Sequence, residues 1–300
     1  MSEPPQVAHV SPEAAEPTGR PPRGLADRQS TLLMALSGIF AWLLLLATRQ
    51  LWFGETNFPA IPLLAVGRQV PPFVQLVLAL GLLAAATLWI SPIEKWRKQA
   101  SLTFVLCGVC LAICDQHRLQ PWLCQLVILS VFYSMLRPTQ FVRYARLLLI
   151  SIYVFSAASK FDYLFVQTLG QQFLDTLVSY VGIARDSIPQ TSRPWLALLF
   201  PTGEWLIGLG LLPMATRRIA GIAGILQHVV LLAILGPTGL SHSLGVLTWN
   251  LMFIGQLLLL FVIWPRPATV PTPTSYHRTT ISHLRLFRPT RPTPPTTLDG

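Results

Sequence analysis

The segment LLMALSGIFAWLLLLAT, residues 32–48, decides the fold because it contains no charged side chain over nearly the length that crosses a bilayer. A transmembrane helix needs roughly 20 predominantly apolar residues. Charged residues make up only 11% of the 300-residue chain, against about 25% in a soluble domain. Similar runs recur along the sequence, at about Leu32–Thr48, Phe73–Ile90, Leu102–Cys114, Trp122–Leu136, Leu147–Ser159, Trp195–Leu212, Ile219–Leu235 and Leu244–Trp264. They predict an all-α, polytopic helical membrane bundle of about eight transmembrane helices.

The distribution of basic residues predicts the orientation. With eight crossings, 16 of the 22 Lys and Arg residues lie on the side of the two termini, many of them in short loops. Because cytoplasmic loops carry an excess of Lys and Arg, we expect a multi-pass protein of the cell (inner) membrane with both termini cytoplasmic. We attribute the net charge of +10 to contact with membrane lipids, and expect no nucleic-acid binding.

Three regions are expected along the chain. Residues 1–28, rich in Pro, Glu and Ala, predict a disordered cytoplasmic tail, and residues 266–300 predict a basic, Pro/Thr-rich one. Residues 29–265 form the helical membrane domain between them. No signal peptide is expected before the first run, which is predicted to be retained as an anchor.

The long outer loop, residues 161–193, has helical periodicity. Its apolar residues recur at i, i+3, i+4 and i+7, at Val166, Leu169, Phe173, Leu174, Leu177, Val178 and Val181. This spacing predicts an amphipathic helix at the outer interface that covers the bundle. An ordinary surface helix between two crossings is the alternative.

Three ionisable residues in or next to the apolar runs are the candidate catalytic residues: Lys160, Glu204 and His228. A charge at the bilayer centre costs roughly 3 kcal/mol, so such groups persist where they are paired or used. Glu204 must be neutral or paired, and Lys160 is its candidate partner. Partial burial of Lys160 favours the neutral amine that acts as a base. His242 and Asn250 extend the same polar surface as candidate substrate-binding residues.

Simpler interpretations of the same residues remain open. Lys160 can be an interfacial lysine whose ammonium reaches the headgroups. His228 can be a neutral side chain that joins two helices by one hydrogen bond.

A polar turn between the third and fourth runs supplies the other candidate substrate-binding residues: Asp115, His117, Arg118, Gln120 and Trp122. The alternative is an interfacial turn whose ion pair is satisfied within itself, since Asp115 and Arg118 can pair at i, i+3. No metal-ligand spacing is present, and no metal is expected.

The four cysteines are Cys107, Cys110, Cys114 and Cys124. Cys107 and Cys110 have the spacing of a redox motif, but because they lie inside a helix at membrane depth we interpret them as small buried apolar residues. A disulfide between Cys114 and Cys124, which flank the polar turn, is an alternative if that side of the membrane is oxidising.

One segment resembles a known family. The stretch from Tyr153 to Asp162, with small residues before Lys160, is similar to the Tyr-x-x-small-Gly-x-Lys segment of the HTTM superfamily, which includes the membrane domain of vitamin K-dependent gamma-carboxylases. Glu204 and the later helix carrying His228 extend the similarity. The resemblance implies that Lys160 is the base that deprotonates a reduced, vitamin K-like quinone, with His228 at a family histidine. The family glycine appears here as Ala157 or Ala158, and residues 266–300 are expected to be a tail rather than a counterpart of the large lumenal carboxylase domain.

The chain is more distantly similar to DoxX/MauE-type redox membrane proteins, which are also linked to quinones. We therefore expect an outward-facing polar pocket, in an enzyme or redox-associated protein that acts on a quinone-like or other lipophilic small molecule. The reaction is expected to be carboxylase-like or a quinone-linked oxidoreduction. The alternative is a non-catalytic membrane partner or assembly factor of an envelope redox protein. A solute transporter is disfavoured because no inverted repeat is evident.

Overall fold

The computed structural model describes residues 24–53 and 59–263. These residues form a bundle of helices without any strand, as the sequence predicts. The predictions for residues 1–23 and 264–300 lie outside the described residues. The amino-terminal tail was predicted to reach residue 28, but the first helix already begins at Leu25.

Within the described residues all eight apolar runs are largely helical, and short helices fill the connections. The helices are α1 Leu25–Ala47, α2 Gln50–Phe53, α3 Pro72–Trp89, α4 Glu94–Cys114, α5 Pro121–Met135, α6 Pro138–Ala158, α7 Tyr163–Gln167, α8 Leu169–Tyr180, α9 Arg193–Ala197, α10 Leu199–Gly210, α11 Arg217–Leu235 and α12 Leu244–Leu257. A π-helical segment, Leu258–Val262, continues α12. Short 3₁₀ turns cover Ala65–Gln69, Gln116–Arg118 and Arg185–Ser187.

Six of these elements are long and apolar enough to cross a membrane: α1, α3, α4, α6, α11 and α12 with its π-helical continuation. Helix α5 has 15 residues because it begins at Pro121 and because Pro138 starts the next helix. The sixth run is divided at Leu198 into α9 and α10. The protein is therefore a helical membrane protein whose shorter helices pack beside six long ones.

Several helices extend well beyond their apolar runs. Helix α4 begins at Glu94 and α6 at Pro138, each with a basic first half that precedes the apolar part. An apolar run marks only the part of a helix that lies in hydrocarbon, whereas polar residues with adequate helix propensity continue the same backbone hydrogen bonds.

Side chains from neighbouring helices bind the carbonyls at the end of the last helix. Gln29 Nε2 on α1 donates to the Leu259 carbonyl (2.8 Å), and Arg146 Nε on α6 donates to the Leu260 carbonyl (2.9 Å). The last carbonyls of a helix have no partner in the helix itself. These two bonds therefore tie α1 and α6 to the end of the bundle formed by the π-helical segment.

The single helix predicted in the long outer loop is divided at Thr168: Val166 lies on α7, and the positions from Leu169 to Val178 lie on α8. The inner side of α8 buries Phe173, Leu174 and Val178. Leu169 and Val181, which were assigned to the same face, are exposed instead because α8 begins and ends at these positions. The Tyr180 hydroxyl donates to the Ala233 carbonyl at 2.9 Å and so holds the end of α8 against the end of α11.

Glycine allows α1 and α3 to approach closely. A Cβ atom at Gly38 would lie 2.6 Å from the Ala86 carbonyl oxygen, a contact with backbone that cannot move away cheaply. At Gly203 on α10, by contrast, a Cβ would meet nothing within 4 Å. The helix propensity gained by replacing glycine with alanine is the same at both positions, about 1 kcal/mol.

We therefore expect opposite effects of the same substitution. Gly38→Ala should lower the free energy of unfolding by about 1–3 kcal/mol, because the new methyl group separates α1 from α3. Gly203→Ala should leave stability unchanged or raise it slightly. Thermal and denaturant unfolding in detergent, followed by circular dichroism, measures both. Equal effects of the two substitutions would contradict the close approach at Gly38.

Candidate functional site: a polar cavity between α6, α10, α11 and α12

A cavity of about 240 Å³ lies among four helices of the bundle, with Phe173 of α8 on one side. Its polar lining consists of Tyr153, Ser156, Lys160, Glu204, Gln227, His228 and Asn250. Aromatic and aliphatic side chains, among them Trp249 and Phe253, complete the wall. A mostly apolar pocket with a few converging polar groups is typical of a small-molecule site.

Lys160 and Glu204 form an ion pair at one end of the cavity. Lys160 Nζ lies 2.5 Å from Glu204 Oε2 and 2.7 Å from Ser156 Oγ. The side chains are 29% and 13% exposed, so the pair is partly removed from water. It joins the end of α6 to α10, and each charge compensates the other where either alone would be costly. The pairing that the sequence suggested is thus present.

The hydrogen bonds of Asn250 fix the tautomer of His228. Asn250 Nδ2 donates to the Val246 carbonyl at 2.9 Å, which turns Asn250 Oδ1 towards the imidazole. Because Oδ1 can only accept, His228 Nδ1 is the donor in their 2.8 Å contact. In the neutral ring, Nε2 is then an unprotonated acceptor. It has no hydrogen-bond partner in the described structure.

Tyr153 lies deep in the cavity wall because two glycines leave room for it. A Cβ atom at Gly208 on α10 would lie 3.0 Å from Tyr153 Cβ, and one at Gly224 on α11 would lie 3.1 Å from Tyr153 Oη. The tyrosine ring makes edge contacts with His228 and Phe253. These contacts leave its hydroxyl group without a hydrogen-bond partner in the described structure.

Three buried polar atoms of the cavity therefore lack partners: Tyr153 Oη, Gln227 Oε1 and His228 Nε2. A buried polar group without a hydrogen bond costs about 1–3 kcal/mol. Proteins rarely keep such groups unless water or a ligand satisfies them. The cavity thus offers two acceptors and one hydroxyl group, beside a charged pair, to whatever enters it.

Four of the residues proposed from the sequence meet in this cavity: Lys160, Glu204, His228 and Asn250. His242 does not line it. That histidine is exposed, and its Nδ1 accepts a hydrogen bond from the Ser243 backbone N–H at 3.0 Å.

The polar turn lies elsewhere in the fold. Asp115, His117, Arg118, Gln120 and Trp122 do not line the cavity; they lie in and next to the turn between α4 and α5, where α4 packs on α3 and on α5. Gln120 Nε2 donates to the His117 carbonyl at 2.7 Å, and Trp122 is buried in an edge contact with Trp52.

The expected pair of Asp115 with Arg118 does not form among the described residues. The Asp115 carboxylate accepts from the imidazole and backbone N–H of His117, whereas Arg118 donates to Gln75 and to the Leu51 carbonyl. The reason is local. The backbone of Asp115 is extended, with φ −155° and ψ 118°, so its side chain does not face a residue at i+3 as it would on a helix.

Several residues of the cavity were not predicted as functional: Tyr153, Ser156, Gln227, Trp249 and Phe253. Spacing could have indicated two of them, since Tyr153 and Ser156 lie seven and four residues before Lys160, on one face of α6. Gln227 and Trp249 each adjoin a predicted residue in sequence, and only the packing of α11 against α12 shows that they face the same space.

All four cysteines are free thiols. Cys107 is buried, as its interpretation as a small apolar residue requires, whereas Cys110 is only partly buried. Cys114 is buried and Cys124 is exposed on α5, and the alternative Cys114–Cys124 disulfide is not formed.

Comparison with known proteins gives no match for this chain among family models, curated proteins or solved structures. The class of the molecule, a helical membrane protein with a polar internal cavity, therefore follows from its own residues. The similarity to the HTTM superfamily, based on residues 153–162, and the more distant similarity to DoxX/MauE-type proteins stay predictions from the sequence.

The Lys160–Glu204 pair generates a prediction for stability. A double-mutant cycle with Lys160→Met and Glu204→Gln should give a coupling energy of about 1–2 kcal/mol, because each single change leaves a partly buried polar group or charge without its partner. Chemical unfolding in detergent measures the free energy of unfolding of the wild-type protein, the two single variants and the double variant.

The exposed pair of Lys98 with Glu94, 2.8 Å apart at i, i+4, is the matched control. The corresponding cycle with Lys98→Met and Glu94→Gln should give no more than about 0.5 kcal/mol. A coupling energy at Lys160–Glu204 as small as that of the control would contradict the assignment of a buried ion pair.

Proposed function

We propose that the protein binds a lipophilic small molecule of the quinone class in the cavity between α6, α10, α11 and α12, and that Lys160 is the base acting on it. The observation that carries this proposal is the presence of three buried polar atoms without partners in one aromatic-walled cavity. A ring carrying oxygen substituents satisfies such atoms at its edge and packs its faces against aromatic side chains.

The stacked rings support a planar ligand. His228 stacks on Phe253 with 4.9 Å between the ring centroids and 13° between the planes, and Trp249 lies 5.3 Å from the same phenylalanine. The cavity volume of about 240 Å³ suits a compact ring system. The exposed apolar surfaces of the surrounding helices give a lipophilic molecule access from the bilayer.

The ion pair supplies the proposed proton chemistry. Lys160 acts as a base only as the neutral amine, so its ammonium proton must first pass to Glu204, 2.5 Å away. The amine then takes the proton from a hydroxyl group of the ligand, and Glu204 returns its proton towards the mouth of the cavity.

The orientation is part of the same proposal. We place both termini in the cytoplasm of a cell with an inner membrane, so that the Lys160 end of the cavity faces outward. When α5 and the α9–α10 pair are counted as crossings beside the six long helices, the asymmetry of Lys and Arg between the two sets of loops supports this arrangement.

Reporter fusions test the orientation. Alkaline phosphatase fused after Asp186, in the long loop that carries α8, should be active because the loop is outside. Green fluorescent protein fused after Ile263 should fluoresce because the carboxyl terminus is inside. The opposite pattern at the two sites would contradict the proposed orientation.

Ligand binding tests the cavity. A soluble naphthoquinone should quench the fluorescence of Trp249 in the purified protein, and Trp249→Phe should remove most of the change. Tyr153→Phe should weaken binding about tenfold, because it removes one hydrogen bond of about 1.4 kcal/mol and keeps the ring. Tyr144→Phe, at a partly exposed tyrosine of the same helix, is the control and should have no effect. Equal affinity of the Tyr153→Phe and Tyr144→Phe proteins would contradict ligand binding at this site.

Substitution of the lysine tests the base. Lys160→Arg keeps the positive charge and a partner for Glu204, but a guanidinium group does not give up its proton in a protein. We expect ligand binding to be retained and turnover of a reduced naphthoquinone to fall by at least about 100-fold. Full activity of Lys160→Arg would exclude the base role. Retained cellular function in a deletion strain without any turnover would instead favour the partner role in a redox assembly.

A further inference from the structure

A second cavity, at the end of the bundle where α1 ends and α3 begins, is separate from the first. It has a volume of about 370 Å³, and Arg118, Gln75, Trp52, Phe73 and Leu76 are among the residues that line it. None of its lining residues belongs to the cavity that contains Lys160. Arg118 therefore needs an explanation that does not involve the proposed quinone site.

Arg118 is a buried cation with neutral partners. The residue is 8% exposed. Its Nε donates to the Leu51 carbonyl at 2.8 Å and its Nη1 to Gln75 Oε1 at 2.9 Å, and Nη2 has no hydrogen bond within the described chain. Among the described residues, no carboxylate forms an ion pair with it.

Asp115, the acid three residues before Arg118, is engaged by other groups among the described residues. Asp115 Oδ1 accepts from the backbone N–H groups of Ile61 and His117 and contacts the His117 ring. Burial lowers the pKa of Arg118, and the charge of Asp115 offsets only part of this effect. Because a guanidinium group stays charged in proteins, the residues that the structure describes compensate its charge only in part.

Two of the residues that line the cavity are apolar and exposed. Phe73 is 68% exposed and Leu76 is 45% exposed, both in the first turns of α3. Helix α3 is a candidate membrane span, with 28% of its apolar window buried inside the protein. Its first turn thus lies at the depth of the lipid headgroups, next to Trp52, and its apolar face runs from there towards the acyl chains.

We propose that this cavity is a binding site for one phospholipid. The phosphate group accepts hydrogen bonds from Nη2 of Arg118, and an acyl chain packs along Phe73 and Leu76. The phosphate supplies a negative charge beside the buried guanidinium, which the described residues compensate only in part. The two groups also match in hydrogen-bond geometry. Inorganic phosphate shares the charge but leaves the apolar wall uncovered, so a lipid binds more tightly.

Native mass spectrometry of the full chain tests this site. The detergent-purified, delipidated protein is titrated with phosphatidylglycerol and, in parallel, with inorganic phosphate. The wild-type protein should retain one lipid molecule at concentrations where phosphate leaves no adduct. Arg118→Gln should lower lipid affinity at least tenfold, whereas Arg68→Gln, at an exposed arginine in a nearby turn, should not.

A third variant keeps the test decisive if Arg118→Gln does not fold. Phe73→Gln changes only an exposed side chain of the apolar wall and should also lower lipid affinity at least tenfold. Lipid retention by the Arg118→Gln and Phe73→Gln proteins equal to that of Arg68→Gln would overturn the proposal. Phosphate binding as tight as lipid binding would overturn it as well, because the site would then recognise the anion alone.

Discussion

The ion pair between Lys160 and Glu204 is the interaction on which the candidate site depends. In a low-dielectric bundle neither charge persists alone, so the pair fixes α6 and α10 in one relative position. That position sets the wall in which Tyr153 lies against Gly208, and Tyr153 in turn borders Gly224 and His228 on α11. The Lys160–Glu204 pair and the glycines Gly208 and Gly224 therefore determine how α6, α10 and α11 pack, and the cavity lies between these helices.

Polar groups elsewhere in the bundle are largely satisfied by each other. Gln125 donates to Gln256 at 2.7 Å and accepts from Trp249 Nε1 at 2.9 Å, and Trp89 Nε1 donates to Ser101 at 3.0 Å. Against this background, three of the six buried side-chain atoms without a partner in the described structure line the same cavity. Unsatisfied atoms spread at random would indicate loose packing, whereas their concentration beside a charged pair indicates a place for another molecule.

The sequence was sufficient to predict the helices because membrane burial imposes long apolar runs, and each of the eight runs is largely helical within the described residues. It was less informative about helix ends, since the charged first turn of α4 at Glu94 is helical without being apolar. Lys160 and Glu204 could be paired from their similar predicted depth. The predicted depth could not show that the polar turn at Asp115 lies away from Lys160 and Glu204. Depth does not indicate which helices are neighbours in the bundle.

Some cavity residues were not predicted because the sequence does not show which helix faces meet in the bundle. A tyrosine, a glutamine and a tryptophan in apolar helices are common as structural residues, and only the rotation of α6, α11 and α12 about their axes shows that Tyr153, Gln227 and Trp249 face one space. Arg118 shows the converse. Its polar neighbours in sequence suggested a local ion pair, but the extended backbone at Asp115 directs the guanidinium group into a different cavity.

An experimental density map of the protein, purified in mild detergent without added ligand, tests the proposed site. We predict density for a flat molecule between the His228–Phe253 stack and the Lys160–Glu204 pair, within hydrogen-bond distance of Tyr153 Oη and His228 Nε2. A cavity filled by the protein's own side chains, with those two atoms bonded to protein groups, would contradict this prediction.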